Sequence, residues 1–210
     1  MKNLLVDIFY YFSFIASFAI GIFYFLLYKG EMVGFWIFIA AGPLLLALPV
    51  LVFKMKTFYE NYNGNLKNTF KVLACIMFYS NALGALYFYK QQFFEYDQFA
   101  HFFTFLSLAI LSTILYRVAA VNVFKKEEPK LSFALPMIFF VMLISGLLFE
   151  FLQYSLDTLF ASHLFFDSNQ PIQTDVLTDV RSNTLGTLTG LLVLKIQWKK
   201  LKDFIKTKAI

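Results

Sequence analysis

Cysteine is almost missing from this sequence. Cys75 stands alone in 210 residues, which excludes an intrachain disulfide and any cysteine-built metal site. Charge is scarce as well: Asp, Glu, Lys and Arg make up 15% of the chain, against roughly 25% in a soluble domain. No Gly-rich phosphate loop, zinc-finger spacing or serine nucleophile elbow occurs. What fills the chain instead is apolar. Hydrophobic residues reach 60%, with 29 Phe, 12 Tyr and 2 Trp, and the mean hydropathy is +0.67. A soluble fold of this size cannot hide that much apolar surface, because much of its exterior must meet water. Soluble enzyme, disulfide-stapled secreted domain and disordered tail are therefore poor descriptions. The chain reads as all-α, a polytopic integral membrane protein whose first partner is the lipid bilayer.

Six apolar segments follow one another, over 4–28, 33–53, 72–89, 99–124, 133–160 and 176–197. Each reaches or approaches the ~20 residues that cross ~30 Å of hydrocarbon as a helix. Pro43 and Pro49 fall in the second, where they should kink the helix while neighbouring helices satisfy the freed carbonyls. Asp7 interrupts the first run and no small-residue cleavage pattern follows it, so it is expected as a retained helix. Fifteen of the 18 Lys and Arg fall at one membrane face, and only Lys29, Lys90 and Arg181 at the other. The positive-inside rule then makes both termini cytoplasmic in an inner-membrane protein. It also accounts for the net charge of +5 without nucleic acid, since the cations are spread over four topogenic segments. The expected organisation is one transmembrane domain over 1–210. Within it, 1–95 supplies supporting helices, 96–197 the polar helices and 198–210 a basic tail.

The acids carry the information. Asp97 and His101 stand at i, i+4 at the outer start of the fourth span, so their side chains stack on one face. Thr104 and Ser112 continue that face and Ser107 flanks it. Glu150, Gln153 and Asp157 line one face near the outer end of the fifth span. Asp175, Asp179, Asn183, Gly186 and Gly190 do so in the sixth. A charged group within a span costs about 2.5–3.5 kcal/mol on insertion scales, so such groups face the bundle interior or a wet cavity. Three polar faces on consecutive helices should therefore converge at the outer boundary.

Two chemistries suit the set. Asp97 would hold the His101 imidazole as a general base, with Glu150, desolvated among Phe149, Phe151 and Leu152, as an acid. Alternatively Asp97, His101, Glu150 and Asp179 form an oxygen-rich ligand set for Mg²⁺, Mn²⁺ or Zn²⁺. Plainer roles compete. Asp179 could pair with Arg181, Asn183 could bridge helices, and Gly186-Thr187-Leu188-Thr189-Gly190 is a small-xxx-small packing motif. Asn81 could reach the pocket or bridge helices. Thr104, Ser107, Ser112, Cys75 and His163 receive no site role.

At these residues the sequence resembles a known family. Phe149-Glu150-Phe151-Leu152-Gln153, then Thr178-Asp179-Val180-Arg181-Ser182-Asn183-Thr184-Leu185-Gly186 and Gly190, resemble the VanZ-like proteins. Those carry an Asp and His pair, a Glu-x-x-Gln step and a late Asp-x-x-x-Asn-x-x-Gly stretch. Tyr96-Asp97-x-x-x-His101-Phe102 is similar to the related YjdF-type inner-membrane family. The resemblance covers about 96–194. It departs in its extra N-terminal spans and in placing Arg181 after Asp179 rather than an Arg in the loop before the first Asp. It implies a polytopic envelope protein, in one branch linked to low-level glycopeptide resistance, and adds Gln153 and Asn183 to the candidate site. The expected function is a hydrolase or transferase acting on a lipid or lipid-linked envelope precursor at the extracytoplasmic face. The alternatives are a cation- or proton-binding or transport protein and a helix-bundle scaffold.

Overall fold

A computed structural model describes residues 2–27, 36–55, 64–83, 94–124, 129–160 and 171–204. Every segment is helical and no strand occurs among the described residues. The helices are α1 (Lys2–Leu27), α2 (Gly42–Lys54), α3 (Gly64–Leu83), α4 (Phe94–Val118), α5 (Leu131–Phe160) and α6 (Ile172–Phe204). A π turn at Ile37–Ala41 leads into α2, and another at Ala119–Val123 ends α4. Among the described residues, three segments are both long and apolar enough to cross a bilayer: Leu4–Leu26, Asp97–Val121 and Leu131–Leu156. The chain is thus a polytopic helical membrane protein.

The remaining three helices depart from a simple apolar span for identifiable reasons. α2 is short, 13 residues, although the apolar run into it begins at Phe38. α3 starts at Gly64 rather than near 72, because Asn65, Lys67, Asn68 and Lys71 are helical residues rather than a loop. α6 has 33 residues, about 50 Å at 1.5 Å per residue, and carries polar groups along one face. It also runs past Gln197 to Phe204. The first part of the expected basic tail is therefore a continuation of the helix, with lysines that suit its C-terminal dipole.

The packing is inside-out relative to a soluble bundle. On α1 the buried face is Tyr10, Ser13, Ser17, Gly21 and Tyr24, whereas Leu4, Ile8, Phe12, Ile15 and Phe23 point outward. Lipid is as apolar as leucine, so small and hydroxyl residues at the interfaces let backbones approach. Gly21 lies against Ile39, and Gly42 against Ser17 and Phe78. Pro49 cannot donate to the preceding turn, and the nearby Leu46 carbonyl accepts a hydrogen bond from the Tyr10 hydroxyl on α1. A core of Tyr10, Tyr24, Phe38, Leu46, Cys75, Phe78 and Ala82 joins α1, α2 and α3.

A second core, Ala109, Ile138, Met142, Leu191 and Leu194, joins α4, α5 and α6. Phe53, Leu66, Phe70, Ile114 and Val118 seal the two groups together along α3 and α4. Asn81 belongs to that seam. Its Nδ2 donates to Thr104 Oγ1 of α4 at 2.9 Å and to its own Met77 carbonyl at 2.7 Å, so it bridges helices.

The closest approach is between α4 and α6. A Cβ added at Gly186 would collide with the Phe102 carbonyl, and one at Gly190 would come 2.7 Å from the Leu106 carbonyl. Neither obstacle is a side chain that could rotate away. Gly186→Ala should therefore destabilise the protein by about 1–3 kcal/mol, the range for forced overpacking. Leu188→Ala, on the exposed face of the same turn, should change stability far less. Thermal unfolding of the two variants in detergent provides the comparison.

Candidate functional site

The α4–α6 approach explains how short side chains meet in the middle. Asp and Asn extend only one methylene from the backbone, so Asp179 and Asn183 can reach α4 only where the axes are close. Gly186 lies one turn further on the same face as Asn183. On α5, Gly146 plays a similar part, since a Cβ there would come 3.4 Å from Asn183 Nδ2. Among these helices His101 is buried, with 6% of its surface exposed.

Each ring nitrogen has its own company. On the Nδ1 side, Asn183 Oδ1 is 3.0 Å away and Glu150 Oε1 is 3.6 Å away. Asn183 Nδ2 in turn donates to Glu150 Oε1 at 3.3 Å. A carboxylate only accepts, so the amide nitrogen of Asn183 must face Glu150 and its oxygen must face the imidazole. That oxygen also only accepts, so Nδ1 carries the ring proton. Nε2 faces Asp97 Oδ1 at 3.7 Å and Asp179 Oδ2 at 3.8 Å. Phe149 closes the site edge-on, 6.0 Å from the imidazole centroid.

Asp97, His101 and Asp179 offer one ligand atom each, all within 4.8 Å of one another. Two ligands of one first-row cation at about 2.1 Å stand about 3.0–3.4 Å apart, so the trio needs to contract only slightly around an ion. Glu150 does not share that point. It lies across the ring from Nε2, on the Nδ1 side, so the three acids and one imidazole expected as one ligand set divide into three plus one. In a metal site that position belongs to the groups that orient the histidine.

The other expected residues fall as follows. Gln153 is buried one turn from Glu150, and its Oε1 has no hydrogen-bond partner among the described residues. Asp179 Oδ1 is in the same condition. Arg181 is exposed, while Asp179 turns inward to His101, so the alternative pairing of those two is not what α6 builds. The side chain of Asp157, and His163 entirely, lie outside the described residues. Asp175 was left out of the candidate site by sequence reasoning. It is 2% exposed, and both Glu150 and Asp179 feel its charge. Its i−4 spacing from Asp179 was the available signal.

Helices of this length and apolarity around a buried His-carboxylate cluster define a polytopic membrane protein with a polar centre near one end of its bundle. A family model described as "Predicted membrane protein (DUF2238)" matches residues 10–200, and the chain belongs to that family. This agrees with the YjdF-type side of the sequence resemblance. Comparison with curated proteins and with solved structures returns no match.

Asn183 is the hinge of the network, touching both His101 and Glu150. Asn183→Leu should cost about 1–3 kcal/mol, because it leaves two buried polar partners unsatisfied while keeping the volume. Denaturant unfolding measures the loss. Nitrogen-15 spectra of the imidazole should then show that Nδ1 has lost its hydrogen-bond partner.

Proposed function

We propose that Asp97, His101 and Asp179 hold a divalent cation, and that the protein is a VanZ-like hydrolase or transferase of the cell envelope. Its substrate would be a lipid or lipid-linked precursor reached at the extracytoplasmic face of the cytoplasmic membrane. One observation carries this reading. Nε2 of His101 faces two carboxylate oxygens at 3.7 and 3.8 Å, and one donor atom from each of the three residues lies within 4.8 Å of the others. Two carboxylates turned toward one imidazole nitrogen call for positive charge among them, which a bound cation would supply.

The donor chemistry fits. Two carboxylates and one neutral imidazole suit Mn²⁺ or Zn²⁺, and three ligands leave positions open, as catalytic sites do. Once bound, the ion would supply Lewis-acid polarisation of a substrate oxygen or of attacking water. The protein's own groups do the rest. Asn183 holds the tautomer of His101, and Glu150 holds Asn183. Gln153, with its buried open acceptor, is placed to take a hydrogen bond from a substrate hydroxyl. Asp97, whose side chain is 21% exposed against 3% for Asp179, marks the open side of the cluster.

Purified wild type, loaded with Mn²⁺ or Zn²⁺ and freed of excess, should retain about one ion per chain by elemental analysis. Asp97→Asn, His101→Ala and Asp179→Asn should abolish retention. Glu150→Gln should weaken affinity about 10–100-fold without abolishing it, as loss of an orienting partner does. Equal retention by wild type and all variants, or none by wild type, would overturn the reading. If all four variants simply unfold, the cluster serves to lock the helices.

A further inference from the structure

A second charged group is buried at the other end of the bundle. Lys71 of α3 has a side chain only 3% exposed. Its ammonium pairs with Asp7 of α1 and lies 5.0 Å from the Tyr10 ring centre and 5.3 Å from that of Tyr11. Lys71 and Tyr10 border a cavity of about 210 Å³ between α1 and α3, lined also by Leu5, Val6, Phe9, Val72 and Cys75. Leu5, Phe9 and Val72 are 65%, 52% and 42% exposed, so the mouth of the cavity faces lipid. The walls are apolar, and Lys71 stands at the edge of the cavity with its charge turned to Asp7.

We infer that this seam is a binding site for an anionic phospholipid, its phosphate on Lys71 and part of one acyl chain in the cavity. An ammonium has three N–H donors and is strongly hydrated, so burial leaves it in need of acceptors. Asp7 supplies one carboxylate, itself 42% exposed, and the tyrosine rings supply only their faces. Lys67, one turn earlier on the same face of α3, adds a second cation, so the local balance is positive. By the charge asymmetry this end lies at the cytoplasmic boundary, where anionic headgroups attract basic residues. Inorganic phosphate would meet the charge but leave the apolar cavity unfilled, and a zwitterionic lipid would fill the cavity but bring its own cation. An anionic phospholipid satisfies both.

The test uses the full chain in maltoside micelles, titrated with phosphatidylglycerol, phosphatidylcholine or inorganic phosphate, with thermal midpoints and native mass spectra as readouts. Phosphatidylglycerol should raise the wild-type midpoint by about 5 °C at saturation and give a one-lipid adduct. The other two additives should do neither. Val72→Trp, which fills the cavity and spares Lys71, should lose both effects. Asp7→Asn should lower the midpoint without lipid and enlarge the rise with phosphatidylglycerol, because the phosphate takes over the vacated partner. Equal responses to the two lipids would overturn the site. So would an undiminished response in Val72→Trp, or an Asp7→Asn protein that phosphatidylglycerol does not rescue. Should Val72→Trp fail to fold, the Asp7→Asn comparison still decides. None of these residues touches the His101 cluster, so this test and the cation test fail independently.

Discussion

The near contact of the α4 and α6 backbones at Gly186 and Gly190 governs the rest of the molecule. Side chains as short as Asp and Asn cannot span an ordinary helix–helix gap of 8–10 Å with their polar ends meeting. Removing two β-carbons lets the Phe102 and Leu106 carbonyls sit against α6, and the polar row above then falls within reach of His101. The glycine face and the acid face of α6 are consecutive parts of one stripe. Shape at one level thus fixes electrostatics at the next, and the orientation of a single amide, that of Asn183, follows from both.

Much of this was readable from residues alone, for physical reasons that also mark where reading stops. Apolar runs give helices in a bilayer because nothing else satisfies the backbone there. The i, i+4 spacing of Asp97 and His101 fixes a shared face whatever the neighbours do. Distances between helices are another matter. Glu150 could be placed on an inward face, but which nitrogen of His101 it would meet depends on the axial offset of α5 against α4. Lys71 illustrates the same limit. As a residue near a span end it looks like a topogenic cation, and only α1 packing over its stem makes it buried. The early start of α3 was hidden because a polar helical turn and a polar loop have similar composition.

The two halves of the bundle handle buried polarity differently. Among α1, α2 and α3, buried hydroxyls are each matched locally, Tyr10 with the Leu46 carbonyl and Ser17 with the Phe38 carbonyl, and only Lys71, with the single carboxylate of Asp7, stands apart. Among α4, α5 and α6, acids gather about one imidazole, and acceptors remain open on Gln153 and Asp179. Matched polarity stabilises helix contacts, whereas concentrated and incompletely matched polarity is characteristic of sites that meet something else.

The polar stripe of α6 also bears on how the protein is made. With Asp175, Asp179 and Asn183 in its first half, this helix is a poor candidate for entering a bilayer alone, each acid costing about 2.5–3.5 kcal/mol at mid-membrane. Its complementary faces on α4 and α5 are synthesised earlier, so they are available when α6 emerges. The last helix would then be drawn in by docking onto helices already resident. Chain order becomes part of the folding mechanism, with membrane integration of α6 and completion of the polar centre as one event.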